Sequence, residues 1–340
     1  MKKTGLLLFI VFFFMGCANQ QKPQPTAQNG KKETSKGNEE PDPLPSWNNT
    51  LTKKRIIQYV KAVTEKESPH YIEPENRIAA FDNDGTMWCE KPAPFQVLFA
   101  FDKIRELAPK HPEWKNKQPY KAIIDRNMKA LKRSGLQGLL EIMEASHLGI
   151  SDDEFDRAVK KWLSTQKHPK FKKPYGQLIY QPMLELIDFL RSNGFKIFIV
   201  SGGGIDFMRA YIPAYYHVPS YQIMGSYGET TFENGEIKKW PEVVFINNEK
   251  NKPIAIYRNI GKRPVFACGN SDGDRDMLEY SYHTKIKTLQ VLIHHTDAQR
   301  EYAYDKDAGV FTLDKGLDEA KKKNWVVVDM KKDWNKIFIP

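Results

Sequence analysis

Cysteine is scarce in this chain of 340 residues: three in all, Cys17, Cys89 and Cys268. Three cannot build a disulfide framework, nor the paired cysteine clusters of a zinc ribbon. Long apolar runs are missing as well. The longest, Leu6 to Met15, is about ten residues, half of what a helix needs to cross a bilayer. Basic blocks with interleaved aromatics are absent. The formal net charge is +10, but Lys and Arg are spread along the chain, which is the pattern of a solvated surface rather than a nucleic-acid groove. No internal repeat is found, so repeat architectures are excluded. What is present, 40% hydrophobic and 28% charged residues, suffices for one large domain or a core with an inserted second one.

The first residues read as a targeting segment. Lys2-Lys3 form a basic start, the apolar run follows, and it ends in Phe14-Met15-Gly16-Cys17. This resembles a bacterial lipoprotein signal, whose cleavage leaves a lipidated cysteine at the new N-terminus. The resemblance implies a leader over 1–17, lipid on Cys17, and an exported protein anchored to a membrane on its periplasmic or cell-surface side. The alternative is an ordinary secretory signal with an incidental cysteine, and it too takes the protein out of the cytoplasm. Residues 18–48 are rich in Gln, Pro, Lys, Glu and Ser, and are predicted to be a disordered tether. Cys89 and Cys268 are then expected to be two separate thiols.

Ile56, Ile57, Val60 and Val63 recur at helical spacing and predict a helix over 52–66. Beyond the run Ile78 to Phe81 the pattern is helical with loops from about 88 to 180, including a helix start at Ser151-Asp152-Asp153-Glu154. Afterwards short apolar runs alternate with helical segments, and Asn234-Gly235 marks a hairpin. The alternation predicts a parallel sheet covered by helices.

In such a sheet, sites form at the carboxyl ends of the strands. Four predicted strand ends carry polar residues: Asp82-Asn83-Asp84, Ser201-Gly202-Gly203, Asn270-Ser271-Asp272-Gly273-Asp274, and His294-His295. Two acids one residue apart at a buried strand tip are costly unless a cation collects them. Three explanations stand at this point: a turn that needs Asp and Asn, a metal site, or a catalytic pair.

The order "FDNDGT", "IVSGG", a lysine at a helix start, then "GNSDGD" resembles the haloacid dehalogenase superfamily, and within it the phosphoserine-phosphatase-like branch. The likeness covers roughly residues 75 to 305. It implies a modified Rossmann core, 49–87 and 181–340, with a mostly helical cap over 88–180. It also implies a Mg²⁺-dependent phosphatase acting on a small phosphorylated metabolite. Carried over by position, Asp82 is the nucleophile and Asp84 the general acid and base. Thr86 steadies the turn, while Ser201 and Gly202 bind the phosphoryl group. Lys252 pairs with the nucleophile, Lys250 being the other candidate. Asp82, Asp84, Asn270 and Asp274 hold the metal. Asn270 stands where many members carry Asp, so the metal site lacks one negative charge, for which Asp272 or Asp274 compensates. Trp88 and Glu90 either touch the leaving group or pack, and one of His294 and His295 either reaches the rim or is a satisfied structural histidine. Phosphotransfer to an acceptor alcohol and a non-catalytic binding module on the same core are the competing functions. An acid at Asp84 argues for an alkoxide leaving group, which needs a proton, over a halide, which does not.

Overall fold

The computed structural model describes residues 41–147, 151–306 and 312–340. The expected leader, Cys17 and most of the expected tether therefore lie outside the described residues. Its strands, in chain order, are β1 (Ile78–Phe81), β2 (Lys196–Gly204), β3 (Ile223–Glu233), β4 (Glu236–Phe245), β5 (Phe266–Gly269), β6 (Leu289–Thr296), β7 (Ala303–Tyr304) and β8 (Val326–Asp329). The helices before β2 are α1 (Leu51–Thr64), α2 (Phe95–Leu107), α3 (Tyr120–Ile124), α4 (Met128–Arg133), α5 (Gly135–His147), α6 (Asp152–Thr165) and α7 (Gln181–Ser192). After it come α8 (Ile205–Tyr215), α9 (Asn251–Ile260), α10 (Arg275–Ser281), α11 (Lys315–Lys323) and α12 (Met330–Asp333).

The sheet runs β4-β3-β2-β1-β5-β6, with β7 and β8 both on β6. All pairings are parallel except β3 with β4 and β6 with β7. β1 lies centrally, and each of its four residues is buried, as an unbroken apolar run in a parallel sheet must be. Alternate strand residues serve opposite faces. Phe81, Ile199 and Cys268 share a core with Ile56 and Val60 of α1, Leu186 of α7 and Phe207 of α8. Ala80 and Val200 turn the other way, onto Ala255 and Ile256 of α9 and Met277 of α10. The chain passes from β1 to β2 on one side and later returns to β5 on the other. Strand order reverses at β1, and the crevice beyond its carboxyl end is where such sheets bind ligands. Asp82 is the first residue past that end, and its N–H donates to the Cys268 carbonyl at 2.9 Å.

The helical insertion divides into two parts. Its far part packs on itself: Phe101 and Ile104 of α2, Trp114, Tyr120 and Ile142 form a separate cluster. Its near part is continuous with the main core. Phe99 of α2 and Trp162 of α6 meet edge to face at 5.9 Å, and Phe99 reaches Phe207 of α8 at 5.6 Å. The predicted boundary at residue 48 falls inside the packed part of the chain. Leu44 and Trp47 are buried, and Trp47 lies edge-on to Trp334 at 5.7 Å with its indole N–H donating to the Pro182 carbonyl at 2.9 Å. The partners sit near residue 182 and at the far C-terminal end, which local composition cannot reveal. Cys89 and Cys268 are both buried and both free. Among the described residues no helix is long and apolar enough to cross a membrane.

Candidate active site

Lys252 occupies the first turn of α9, and its side chain reaches under the end of β1. Its ammonium donates to Asp82 Oδ1 at 2.6 Å and to Asp274 Oδ1 at 2.5 Å. All three groups are buried. Lys250, at the exposed edge of the same helix, is not the lysine that meets Asp82. Burial alone would push Lys252 down, but the two carboxylates outweigh it and hold the ammonium above the ordinary lysine range. Burial and the nearby Asp274 charge push the Asp82 carboxyl up to about 7, against the pull of Lys252.

Asp84 is built differently. The Trp88 indole N–H donates to its Oδ1 at 2.9 Å and the Asn83 amide to its Oδ2 at 3.3 Å. Both partners are themselves fixed. Trp88 stacks on Tyr211 at 4.3 Å, while Asn83 donates to the Tyr211 hydroxyl and accepts from the Tyr216 hydroxyl. Desolvation pushes the Asp84 carboxyl above the usual range. A carboxyl that holds its proton more tightly than usual is better suited to hand that proton to a leaving oxygen. Trp88 thus packs, and in packing it orients Asp84.

The second and fourth motifs close the crevice. Ser201 is buried at the end of β2, its hydroxyl accepting from the Gly203 N–H at 3.2 Å. A Cβ on Gly203 would stand 3.6 Å from Ser201 Oγ and 3.7 Å from Asp84 Oδ2, so this glycine is the point where the two motifs face each other. Gly202 lies further out, its carbonyl accepting from Ser226 Oγ at 2.7 Å. Thr86 is wholly buried and donates to Asn270 Oδ1 at 2.9 Å, tying the first motif to the fourth. Asp274 spends its second oxygen on its own loop, accepting from the N–H of Asn270, the N–H of Ser271 and the Ser271 hydroxyl. It therefore holds Lys252 and shapes the turn.

Asp272 points away. Its carboxylate accepts from the N–H groups of Asp314, Lys315 and Gly316, the open N-terminus of α11. Asp272→Ala is expected to cost about 1 kcal/mol in urea unfolding, the usual scale of a lost cap, and to leave Mg²⁺ titrations of the chain unchanged. A weakened titration would return Asp272 to the metal site.

Several side chains at this rim carry no motif. Gln96, in the first turn of α2, accepts from the Gly204 N–H at 2.7 Å and thereby sets the insertion against the second motif. His295 is buried with Nε2 on the Gly85 carbonyl at 2.8 Å and Nδ1 on Glu301 at 3.2 Å, propping the first-motif turn from below. His294 is half-buried and lies 3.9 Å from Asp305. Glu90 is buried and takes hydrogen bonds from the Tyr304 hydroxyl at 2.6 Å and the Asn270 amide at 3.1 Å. Desolvation pushes its carboxyl well above the usual range, against the Tyr304 hydrogen bond. The sequence signal for Gln96 was a polar residue beside an apolar run, which is too common to single it out, whereas His295, one of the two histidines the sequence offered, takes the structural role.

Mg²⁺ binds through one or two carboxylates and other hard oxygens while keeping several waters. The donors here fit that preference: the Asp82 carboxylate, the Asp84 carbonyl and the Asn270 amide oxygen, on two turns joined by the Thr86 hydrogen bond. Among the described residues no three His, Cys, Asp or Glu side chains form a ready-made cage. Asp82 and Asp274 nevertheless share the single Lys252 ammonium, with the Asp84 and Glu90 carboxyls near enough to act on Asp82 or be acted on by it, a crowding of acids that a divalent ion would offset.

No protein-family model and no curated protein matches the sequence. Solved structures do. A conserved protein of unknown function from Anaerococcus prevotii DSM 20548 is 16% identical with a TM-score of 0.54, over 84% of this chain and 93% of that one. A protein of unknown function from Bordetella pertussis Tohama I is 15% identical with a TM-score of 0.50, over 75% and 99%. A phosphoserine phosphohydrolase-like protein from Francisella tularensis subsp. tularensis SCHU S4 is 16% identical with a TM-score of 0.36, over 66% and 89%. At these identities the first two similarities are similarities of fold. Together with the central β1, the reversal of strand order and the helical insertion between β1 and β2, they identify the chain as an α/β protein of Rossmann-type fold with a helical insertion.

Proposed function

We propose that this chain is a phosphatase of the haloacid dehalogenase superfamily that hydrolyses small phosphomonoesters through an aspartyl-phosphate on Asp82, with Mg²⁺ as cofactor. The observation that carries the reading is the Lys252 bridge between Asp82 and Asp274, set beside a half-buried Asp84 at the point where strand order reverses. With Oδ1 held by Lys252, Asp82 attacks phosphorus through Oδ2. The bond from phosphorus to the ester oxygen breaks, and Asp84 gives that oxygen its proton. Asp84 then takes a proton from water as the water attacks the aspartyl-phosphate, which releases phosphate and restores both carboxyls. Lys252 and the N–H groups near Ser201 and Gly202 balance the phosphoryl charge. Asp82, the Asp84 carbonyl and Asn270 would hold Mg²⁺, which supplies further positive charge at the phosphoryl oxygens. We also propose that the protein is exported and anchored to its membrane by lipid on Cys17, with residues after it as tether and the segment about 88–180 as a cap over the substrate.

The test is phosphate release from a generic aryl phosphate, with Mg²⁺ and with chelator, using Asp82→Asn as the blank. Release that needs both Asp82 and Mg²⁺ supports the reading, and no release from any of a panel of phosphomonoesters sinks it. The acid role has its own check. Asp84→Asn is expected to slow the first turnover of an alkyl phosphate by about 10²–10⁴-fold. A nitrophenyl ester, whose leaving group departs readily as an anion, should lose far less. Equal losses on both esters would remove Asp84 from proton transfer.

A further inference from the structure

We propose that Glu90 supplies the negative charge that Asn270 lacks, and that it acts as the positioning residue of the cation site. The inference rests on the phosphatase reading and on its Mg²⁺, and three observations lead to it. The first is elimination. Neither acid of the fourth motif is free to compensate for Asn270: Asp272 is committed to the N-terminus of α11, and both oxygens of Asp274 are committed to Lys252 and to its own turn. The second is contact. Glu90 is 1% exposed, and its Oε1 accepts directly from Asn270 Nδ2 at 3.1 Å. Its other hydrogen-bond partner, the Tyr304 hydroxyl, is neutral. The Lys91 ammonium, whose charge acts on Glu90, lies over the Tyr304 ring at 4.2 Å from its centre.

The third is close approach. Gly85, between Asp84 and Thr86, has φ +74°, and a Cβ there would fall 2.1 Å from Asn270 Nδ2 and 2.8 Å from Glu90 Cδ. The missing side chain lets Asn270 and Glu90 press together onto the first-motif turn. Glu90 Oε1 accepts from the nitrogen of the Asn270 amide, and the Thr86 hydroxyl donates to its oxygen, so the two contacts fix the orientation of that amide. Glu90 therefore does two things an aspartate at 270 would do alone. It places a buried carboxyl, which a cation on that turn would hold ionised, beside the turn that carries Asp82, and it fixes which atom of residue 270 is presented as an oxygen ligand. A buried carboxylate whose hydrogen-bond donors are neutral is costly by itself, and a divalent ion on the neighbouring turn would offset that cost.

Mg²⁺ binding to the purified full chain, followed by isothermal titration calorimetry, tests this without turnover. Glu90→Gln keeps the shape and removes the charge. It is expected to weaken Mg²⁺ binding by about ten- to a hundredfold, the range for lost outer partners of metal ligands. Adding Asn270→Asp to it should restore most of the affinity, because the charge returns to the same place. A merely structural Glu90 would not be rescued this way. Unchanged affinity in Glu90→Gln overturns the inference while leaving the phosphatase reading intact, and so does a loss that Asn270→Asp does not repair. A parent chain that binds no Mg²⁺ overturns both. Should Glu90→Gln not fold, Asn270→Asp alone decides. Two facing carboxylates should lower the melting temperature in chelator and enlarge the stabilisation by Mg²⁺ beyond that of the parent, and an Mg²⁺ effect equal to the parent's refutes the idea.

Discussion

An Asp82→Asn chain releases phosphate from an aryl phosphate about 10⁴-fold more slowly than the parent or worse, the scale of a lost covalent nucleophile. The substitution changes one oxygen to nitrogen, and the amide oxygen still offers Lys252 an acceptor. Stability moves in the opposite direction from activity. Asp82 sits at about 7 in the folded chain, above the ordinary carboxylate value. Its contribution to stability is therefore complete below that ordinary value and is lost as pH rises through about 7. At pH 8 in chelator the parent bears the cost of an ionised, buried Asp82 and the variant does not. The variant should unfold at the parent's temperature or higher, so that lost turnover is not lost folding. Acid quenching of the parent during turnover should leave one phosphoryl group on the peptide that contains Asp82, and the variant should show none. Equal phosphate release from the two proteins would end the mechanism.

The crevice was legible in the sequence because its residues directly follow short apolar runs. Ile78–Phe81, the run before Ser201 and Phe266–Gly269 each had to be a buried strand, and the polar residue after each had to emerge at the same edge of a parallel sheet. Lys252 was legible for a different reason: a lysine before Pro253 in a first helical turn points at whatever the helix starts against. What stayed hidden depends on partners distant in the chain. Asp272 reads as a loop acid until α11 arrives more than forty positions later and presents its N–H groups. Trp47 reads as the end of a polar tether until the C-terminal Trp334 covers it. Glu90 reads only as a residue that touches the leaving group or packs, because its partners, Asn270 and Tyr304, are 180 and 214 positions away. The insertion read as one helical block, yet α2 contributes Phe99 to the main core and Phe101 to the separate cluster, a division that periodicity along a single helix does not encode.

Replacing Lys252 by Met is expected to cost about 3–5 kcal/mol, as for any buried ion pair deprived of one member, out of the roughly 5–15 kcal/mol that holds a domain together. Methionine nearly matches the length and apolar bulk of lysine, so the cost is electrostatic: Asp82 and Asp274, both buried, are left without the ammonium that touches both. Their mutual repulsion, which already raises Asp82, is then unopposed. Adding Asp274→Asn removes one of the stranded charges, and its amide oxygen can still accept from the Asn270 and Ser271 N–H groups. The double variant should therefore be more stable than the sum of the two single changes predicts, by a coupling of about 0.5–3 kcal/mol in urea unfolding. Phosphate release should stay absent in it, because the ammonium that balances the phosphoryl charge has not been restored. Stability regained without activity assigns Lys252 two separable duties, holding the fold's buried acids together and facing the substrate. Additive stabilities would show that the three side chains do not meet, and the site would have to be redrawn.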